Sequence, residues 1–279
     1  MPLFSKDKGQ RTGDPMKGRW TYSMISAYLK CPRYFELNYL EKKKAIYSSS
    51  LVEGISHHDA LDEDNHEKYK RKALTYKQHF ECFADGFTKD KKHIEIWDAG
   101  TDDKQIIHRG RGIIKSYKDH ELSKFIPATL DNKPMAEWFF TFPVSVDGEE
   151  ITMQGFVDIA VEAEFGLPIF DYKVTRNARA KGMVQNSLQL TIYKMAALYN
   201  TRHSMSTITP GIASLVKSTK KIDIKKADIG LRDMNHADRI IKGVVKAIRT
   251  GIYPPCNPEN VLCSPKYCGQ WHNCRGIKK

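Results

Sequence analysis

The sequence predicts a mixed-sheet α/β domain. Three observations carry this: helix-period segments run from about residue 20 to 125, three strand-like segments follow between about 137 and 174, and a helix, a strand and a helix come after them. With 41% hydrophobic and 10% aromatic residues, the 279-residue chain can bury a core and is not disordered throughout.

The first ordered element is expected near Trp20, after a flexible basic tail over residues 1–19. Thr21 or Ser23 can cap a short helix carrying Met24, Ile25, Tyr28 and Leu29 on one side, and Pro32 ends or bends it just after Cys31. A second helical pattern runs from Tyr34 to Lys44 and finishes in the basic run EKKK. Residues 51 to about 125 are polar, rich in His, Lys and Asp, and helical in pattern; they read as an insertion ahead of the sheet. Trp138, Phe140 and Phe142 then alternate with Glu137, Phe139 and Thr141, Asp147-Gly148 marks a turn, and ITMQGFVDIAVEA completes a β-hairpin. A third strand, LPIFDYKV, follows Phe165-Gly166. Residues 183–200 suit an amphipathic helix, 206–217 a strand, and 233–250 a helix with Met234, Ala237, Ile241, Val245 and Ile248 on one face, stopped by Gly251. A cysteine-bearing tail occupies 251–279, leaving a catalytic core over about 134–250 within one domain from 20 to 279.

The formal charge is +12, which favours a polyanionic partner such as nucleic acid without choosing DNA or RNA. No segment approaches the roughly 18 apolar residues that span a bilayer, and the N-terminus lacks a signal-peptide core. A cytoplasmic protein is the expectation. Six cysteines in a reducing compartment suggest metal ligands or free thiols before disulfides.

In FDYK, strand alternation turns Asp171 and Lys173 to one face and Tyr172 to the other. If the strands on either side of the Glu162–Leu167 turn pair, Asp158 comes near Asp171. Two carboxylates meeting on one face cost free energy unless a cation neutralises them, and Mg²⁺ or Mn²⁺ suits an all-oxygen pair. Phosphodiester hydrolysis uses such a cluster, with a lysine to orient water and offset charge at phosphorus. An isolated D-x-K is more often an ordinary salt bridge on a solvated face. What adds weight is the order of motifs: Gly54-x-x-x-His58, Gly155-x-x-Asp158, Asp171-x-Lys173, then Gln189-x-x-x-Tyr193, whose last pair shares a helix face.

That order resembles the RecB-like exonuclease branch of the PD-(D/E)XK superfamily, over about Tyr22 to Gly276. The resemblance implies a restriction-endonuclease-like mixed sheet flanked by helices. It implies that His58, Asp158 and Asp171 gather the divalent metal, with the Tyr172 carbonyl as a further ligand. Lys173 would serve the attacking water, and Gln189 and Tyr193 would help hold the DNA strand or the metal site. His58 fits the spacing from Gly54 better than His57, and Glu137 is a further acidic candidate. The implied activity is hydrolysis of DNA, from a single-stranded or free end, in recombination, repair or end processing of a phage-type or CRISPR-associated kind.

Cys256, Cys263, Cys268 and Cys274 cluster in the tail. Four tail thiolates could hold zinc; alternatively, three of them and a distant fourth could hold an iron–sulfur cluster. The segment SMISAYLKCPRYFEL looks like the N-terminal cysteine motif of the iron-staple nucleases, the AddB-like and CRISPR-associated RecB-like exonucleases. By that resemblance Cys31 joins Cys263, Cys268 and Cys274 around a four-iron–four-sulfur cluster. The gap between Cys263 and Cys268 is longer than the usual pattern, which makes Cys256 the substitute for Cys263. Cys82 has no partner pattern. A cluster joining residue 31 to residues past 260 would act mainly as a stabiliser. Tyr267 and Trp271 would shield it or stack on bases. Two rivals stand beside this reading: a nucleic-acid-binding module without catalysis, which the intact D-x-K opposes, and an RNA nuclease.

Overall fold

The computed structural model describes residues 13–275. The tail expected over 1–19 lies mostly outside the described residues. In its described end the Asp14 carboxylate caps a 3-10 turn over Pro15–Lys17, and Arg19 opens the first strand, β1 (Arg19–Thr21). Thr21 then caps α1 (Tyr22–Lys30), accepting the Met24 N–H, and Cys31 ends it ahead of α2 (Pro32–Phe35). Pro32 sits at the first position of α2, where its missing N–H costs nothing.

The helix expected through Lys44 stops at Leu40 instead, after a wide π-type turn over Glu36–Leu40. The Lys43 N–H closes back on the Leu37 carbonyl, and Lys42 takes a left-handed φ of 53°. This is a helix-ending loop, which the helix-forming composition of EKKK disguises.

The polar stretch folds into α3 (Ser49–Tyr69), α4 (Tyr76–Asp90) and α5 (Asp103–Asp119). A small ribbon, β2 (Thr129–Leu130) and β3 (Lys133–Pro134), leads into the hairpin of β4 (Ala136–Val146) and β5 (Glu149–Ala160). Asp147 and Gly148 both take positive φ, 53° and 84°, as a tight hairpin turn demands. Next come β6 (Leu167–Thr175), α6 (Lys181–Gln185), α7 (Leu188–Asn200), β7 (Ile208–Val216), β8 (Lys221–Lys226), α8 (Leu231–Arg249) and α9 (Trp271–Arg275). The single helix expected over 183–200 is therefore two, because Ser187 leaves the helix to cap α7 through the Leu190 N–H.

A six-stranded mixed sheet organises these elements. β4 runs antiparallel along one edge of β5 from Ala136↔Ile159 to Val146↔Glu149. The other edge of β5 is shared: β1 pairs in parallel at Thr152–Gln154, and β6 pairs antiparallel only at Ile159↔Phe170 and Ala160↔Ile169. β6 then pairs in parallel with β7 along its whole length, and β8 covers the far edge. One face of the sheet packs on α1, α7 and α8 through Trp20, Met24, Phe140, Met153, Ile169, Leu190, Ile192, Ile241 and Val245. The opposite face packs on α3 and α5 through Leu61, Ile113, Tyr117, Phe170, Tyr172 and Leu215. An outer helical core of Val52, Ala60, Phe83, Phe87, Ile106 and Ile114 binds α4 to α3 and α5. Among the described residues no helix is long and apolar enough to cross a membrane.

Candidate active site

The short pairing of β5 with β6 makes the site. Beyond Ile159↔Phe170 the two strands part, so the position where Asp158 would face Asp171 in a regular ladder becomes a fork. The Asp158 carboxylate fills the fork: its Oδ2 accepts the Tyr172 N–H at 2.6 Å in place of a ladder carbonyl. Strand alternation sends Phe170 and Tyr172 into the core beneath α3 and α5, and turns Asp171 and Lys173 to the face covered by α7.

There α7 supplies Gln189, whose amide donates at 2.8 Å to Asp171 Oδ1 and at 2.8 Å to the Tyr193 hydroxyl; that hydroxyl lies 3.4 Å from the same oxygen. Lys173 Nζ pairs with Asp171 Oδ2 at 2.7 Å. Burial works against the Lys173 charge, but Asp171 and Asp158 outweigh it and hold its pKa above the usual lysine value. The lysine therefore stays a cation and a hydrogen-bond donor.

His58 reaches the fork from α3, with Nδ1 3.6 Å from Asp158 Oδ2. Burial first and Lys173 second lower its pKa, so its ring is neutral and offers a lone pair. The neighbouring His57 points elsewhere, stacked on Phe83 at 4.2 Å inside the helical core. α3 itself is clamped by Glu53, fully buried, which accepts Arg109 Nε and Nη2 at 2.7 Å each and Lys217 Nζ at 2.9 Å. Asn65 of the same helix donates to the Tyr172 hydroxyl at 3.3 Å, tying α3 to the strand that carries Asp171 and Lys173.

Glu137 completes the centre. Ligand atoms of His58, Glu137 and Asp158 all lie within 4.8 Å of one another. Glu137 sits on β4 opposite Asp158 in a left-handed conformation, φ 44°, unusual for a glutamate within a strand. Such strain is of order 1–3 kcal/mol and gathers at functional sites. The sequence ranked Glu137 below Asp171; in the structure Glu137 closes this triad, while Asp171 is engaged by Lys173, Gln189 and Tyr193. Its irregular backbone leaves no trace in the amino-acid pattern.

The chemistry of the donor set fits a divalent cation. Burial, and then the charge of Asp171, push the Asp158 carboxyl up to about 8, against the help of Lys173 and the Tyr172 N–H. Two ionised carboxylates at this depth need a further positive charge, and a hard cation supplies it.

With this geometry in hand, a comparison decides the family: the model of the PD-(D/E)XK nuclease superfamily matches residues 19–275. The chain belongs to the PD-(D/E)XK nuclease superfamily. Members of this superfamily are typically metal-dependent nuclease hydrolases. No curated protein matches. A solved structure described as "Crystal structure of SSO0001" is similar at 12% identity and a TM-score of 0.40, covering 92% of this chain and 98% of that one.

The cysteines of this PD-(D/E)XK chain converge as well. Cys31, Cys256, Cys263, Cys268 and Cys274 line one cavity of about 780 Å³ that also reaches Lys173 and Gln189. The Cys256 N–H donates to Cys31 Sγ at 3.4 Å, and an Arg275 N–H lies 3.8 Å from Cys263 Sγ. Burial and the neighbouring Cys31 and Cys263 push the Cys256 thiol up to about 12. Burial also raises Cys268, with Cys31, Cys263 and Cys274 adding to it. The set expected from sequence had four thiols, with Cys256 as a substitute; the structure gathers five. Cys82 is apart from them, packed among the apolar residues of the outer helical core.

The tail is held there by contacts that the sequence did not signal. Gln270, fully buried, donates to Asn38 and to the Lys43 carbonyl. The Ile46 N–H donates to the Gly269 carbonyl at 3.1 Å, and the Tyr28 hydroxyl to the Ile252 carbonyl at 2.7 Å. A glutamine in a cysteine-rich tail has no pattern by which its burial could be read.

Proposed function

We propose that this chain is a divalent-metal-dependent deoxyribonuclease of the RecB-like branch, an exonuclease acting on DNA with a single-stranded or free end in recombination, repair or end processing. The observation that carries this is the pairing of Lys173 with Asp171 beside a fork where His58, Glu137 and Asp158 converge. His58, Glu137, Asp158 and Asp171 would hold Mg²⁺ or Mn²⁺, with the Tyr172 carbonyl as a further donor. When bound, the metal supplies Lewis-acid polarisation of the phosphate and a more acidic water.

The chain's own residues do the rest. Lys173 stays protonated and donates toward the attacking water and the charge developing on the phosphoryl oxygens. Gln189 and Tyr193 lock the Asp171 carboxylate in one orientation. Neutral His58 keeps a ring nitrogen available beside Asp158. DNA rather than RNA, and an end rather than an internal site, follow from the resemblance to the RecB-like branch.

The five thiols suit a four-iron–four-sulfur cluster on Cys31, Cys263, Cys268 and Cys274, with Cys256 donating its N–H to Cys31 Sγ and standing ready as the alternative ligand. Such a cluster supplies a cross-link between the two ends of a single domain spanning residues 20–279, in which the helices of about 51–125 are an insertion. The test is direct. End-labelled single- and double-stranded DNA and RNA are incubated with purified protein and Mg²⁺, Mn²⁺ or chelator. Metal-dependent shortening of DNA from its ends supports the reading. Cleavage of RNA alone, or of neither polymer, overturns it.

A further inference from the structure

Arg179 lies in the connection between β6 and α6, six residues beyond Lys173. Its Nε is buried and has no hydrogen-bond partner, and among the described residues no carboxylate pairs with it. Three cations nearby have carboxylate partners: Lys173 pairs with Asp171, and both Arg109 and Lys217 pair with Glu53. A part-buried guanidinium without an acceptor is costly for a folded chain to hold.

The surroundings point to the missing acceptor. Arg179 lines the 780 Å³ cavity and also an adjoining one of about 310 Å³. Both cavities share Tyr22, Ser26, Lys173 and Gln189. The guanidinium therefore stands over the space beside the catalytic lysine, with the hydroxyl-bearing face of α1 also lining it. Among the described residues no acidic side chain lines either cavity. The fixed fork of an arginine matches two oxygens of one phosphate better than it matches a single oxygen.

We propose that Arg179 binds the phosphodiester flanking the one hydrolysed, with Tyr22 and Ser26 as hydroxyl partners, so that the strand runs along α1 past Lys173. This rests on the nuclease reading above. Lys173 and the metal donors serve the reacting phosphate; Arg179 sets the register of the strand against them.

The test separates the two readings. Binding of a fluorescent DNA oligonucleotide to the full chain is measured by anisotropy in chelator over a salt series, and cleavage is measured in parallel with Mg²⁺ or Mn²⁺. Arg179→Ala should weaken binding roughly 10- to 100-fold, the range for hydrogen bonds to a charged group. It should also lower the slope of log affinity against log salt by about 0.7–0.9, one phosphate's counterion release. KM should rise more than kcat falls, and the melting temperature should hold. Arg179→Lys should keep the slope and lose part of the affinity, since it retains the charge and loses the fork. Unchanged slope and KM in Arg179→Ala, with wild-type protein cutting normally, overturns the inference alone. An equal slope change in the exposed Arg176→Ala also overturns it, because the effect would then be the diffuse field of a basic surface. Wild-type protein that cuts nothing overturns the nuclease reading instead.

Discussion

Metal affinity should rise steeply with pH, and Asp158 should be the reason. In the folded chain its carboxyl is pushed up to about 8 from an ordinary 3.8. At about 1.36 kcal/mol per pKa unit, that gap of about four units corresponds to at most about 6 kcal/mol against ionised Asp158 in the metal-free protein. The sign is as follows. The native state binds a proton that the unfolded state releases near pH 4, so the contribution of Asp158 to the stability of the metal-free protein is fully present below that pH and is lost as pH rises toward 8. A bound cation reverses this, because it requires the ionised carboxylate and displaces the proton. Burial and Lys173 lower the His58 pKa, which moves its own proton release toward the acid side of that range. Between about pH 6 and 8, the Mg²⁺ or Mn²⁺ dissociation constant should therefore fall about tenfold per pH unit, one proton per metal. Titration calorimetry in buffers of different ionisation enthalpy counts that proton, and thermal melts with and without metal report the same trend as a widening shift. Asp158→Asn should flatten the pH dependence of metal binding, remove most of the affinity, and take away the part of the metal-free protein's pH-dependent stability that Asp158 contributes. A metal affinity flat between pH 6 and 8 would refute the reasoning.

Other expectations follow from single contacts. Lys173→Ala and Asp171→Ala should each nearly abolish cleavage by gel assay while the protein melts cooperatively; a folded mutant with wild-type rate removes the pair from catalysis. Gln189→Ala should leave Asp171 without its 2.8 Å donor and lower kcat by about tenfold, with metal affinity reduced in calorimetry. Glu53→Ala strands Arg109 and Lys217 beside a buried position, and should cost about 3–5 kcal/mol in urea unfolding; a loss under 1 kcal/mol would show that the clamp on α3 is dispensable. Anaerobically purified protein should be brown and contain iron and sulfide, Cys31→Ala should be colourless and poorly soluble, and Cys82→Ala should keep its colour; stoichiometric zinc without iron would overturn the cluster.

What the sequence determined by itself was local and periodic. The alternation of β6 put Asp171 and Lys173 on one face, the helical spacing put Gln189 beside Tyr193, and Asp147-Gly148 set the hairpin that carries Asp158; each rests on geometry that the backbone repeats within a few residues. Family membership was legible too, because four short motifs in a fixed order are a linear signal. β1 and β8 were not legible. Three residues are too few to show a period, and the Lys-rich KIDIKK reads as solvent-facing, which suits the edge strand it proves to be.

Only the tertiary structure decided the rest. The parting of β5 from β6 after two pairs, the left-handed backbone that seats Glu137 opposite Asp158, the burial of Gln270 against Lys43, the entry of Cys256 among the other four thiols and the solitary Arg179 all depend on segments far apart in the chain. A residue's spacing from its neighbours fixes which way it points. Which distant groups it meets depends on how the layers pack, and burial then decides which of those groups carry charge.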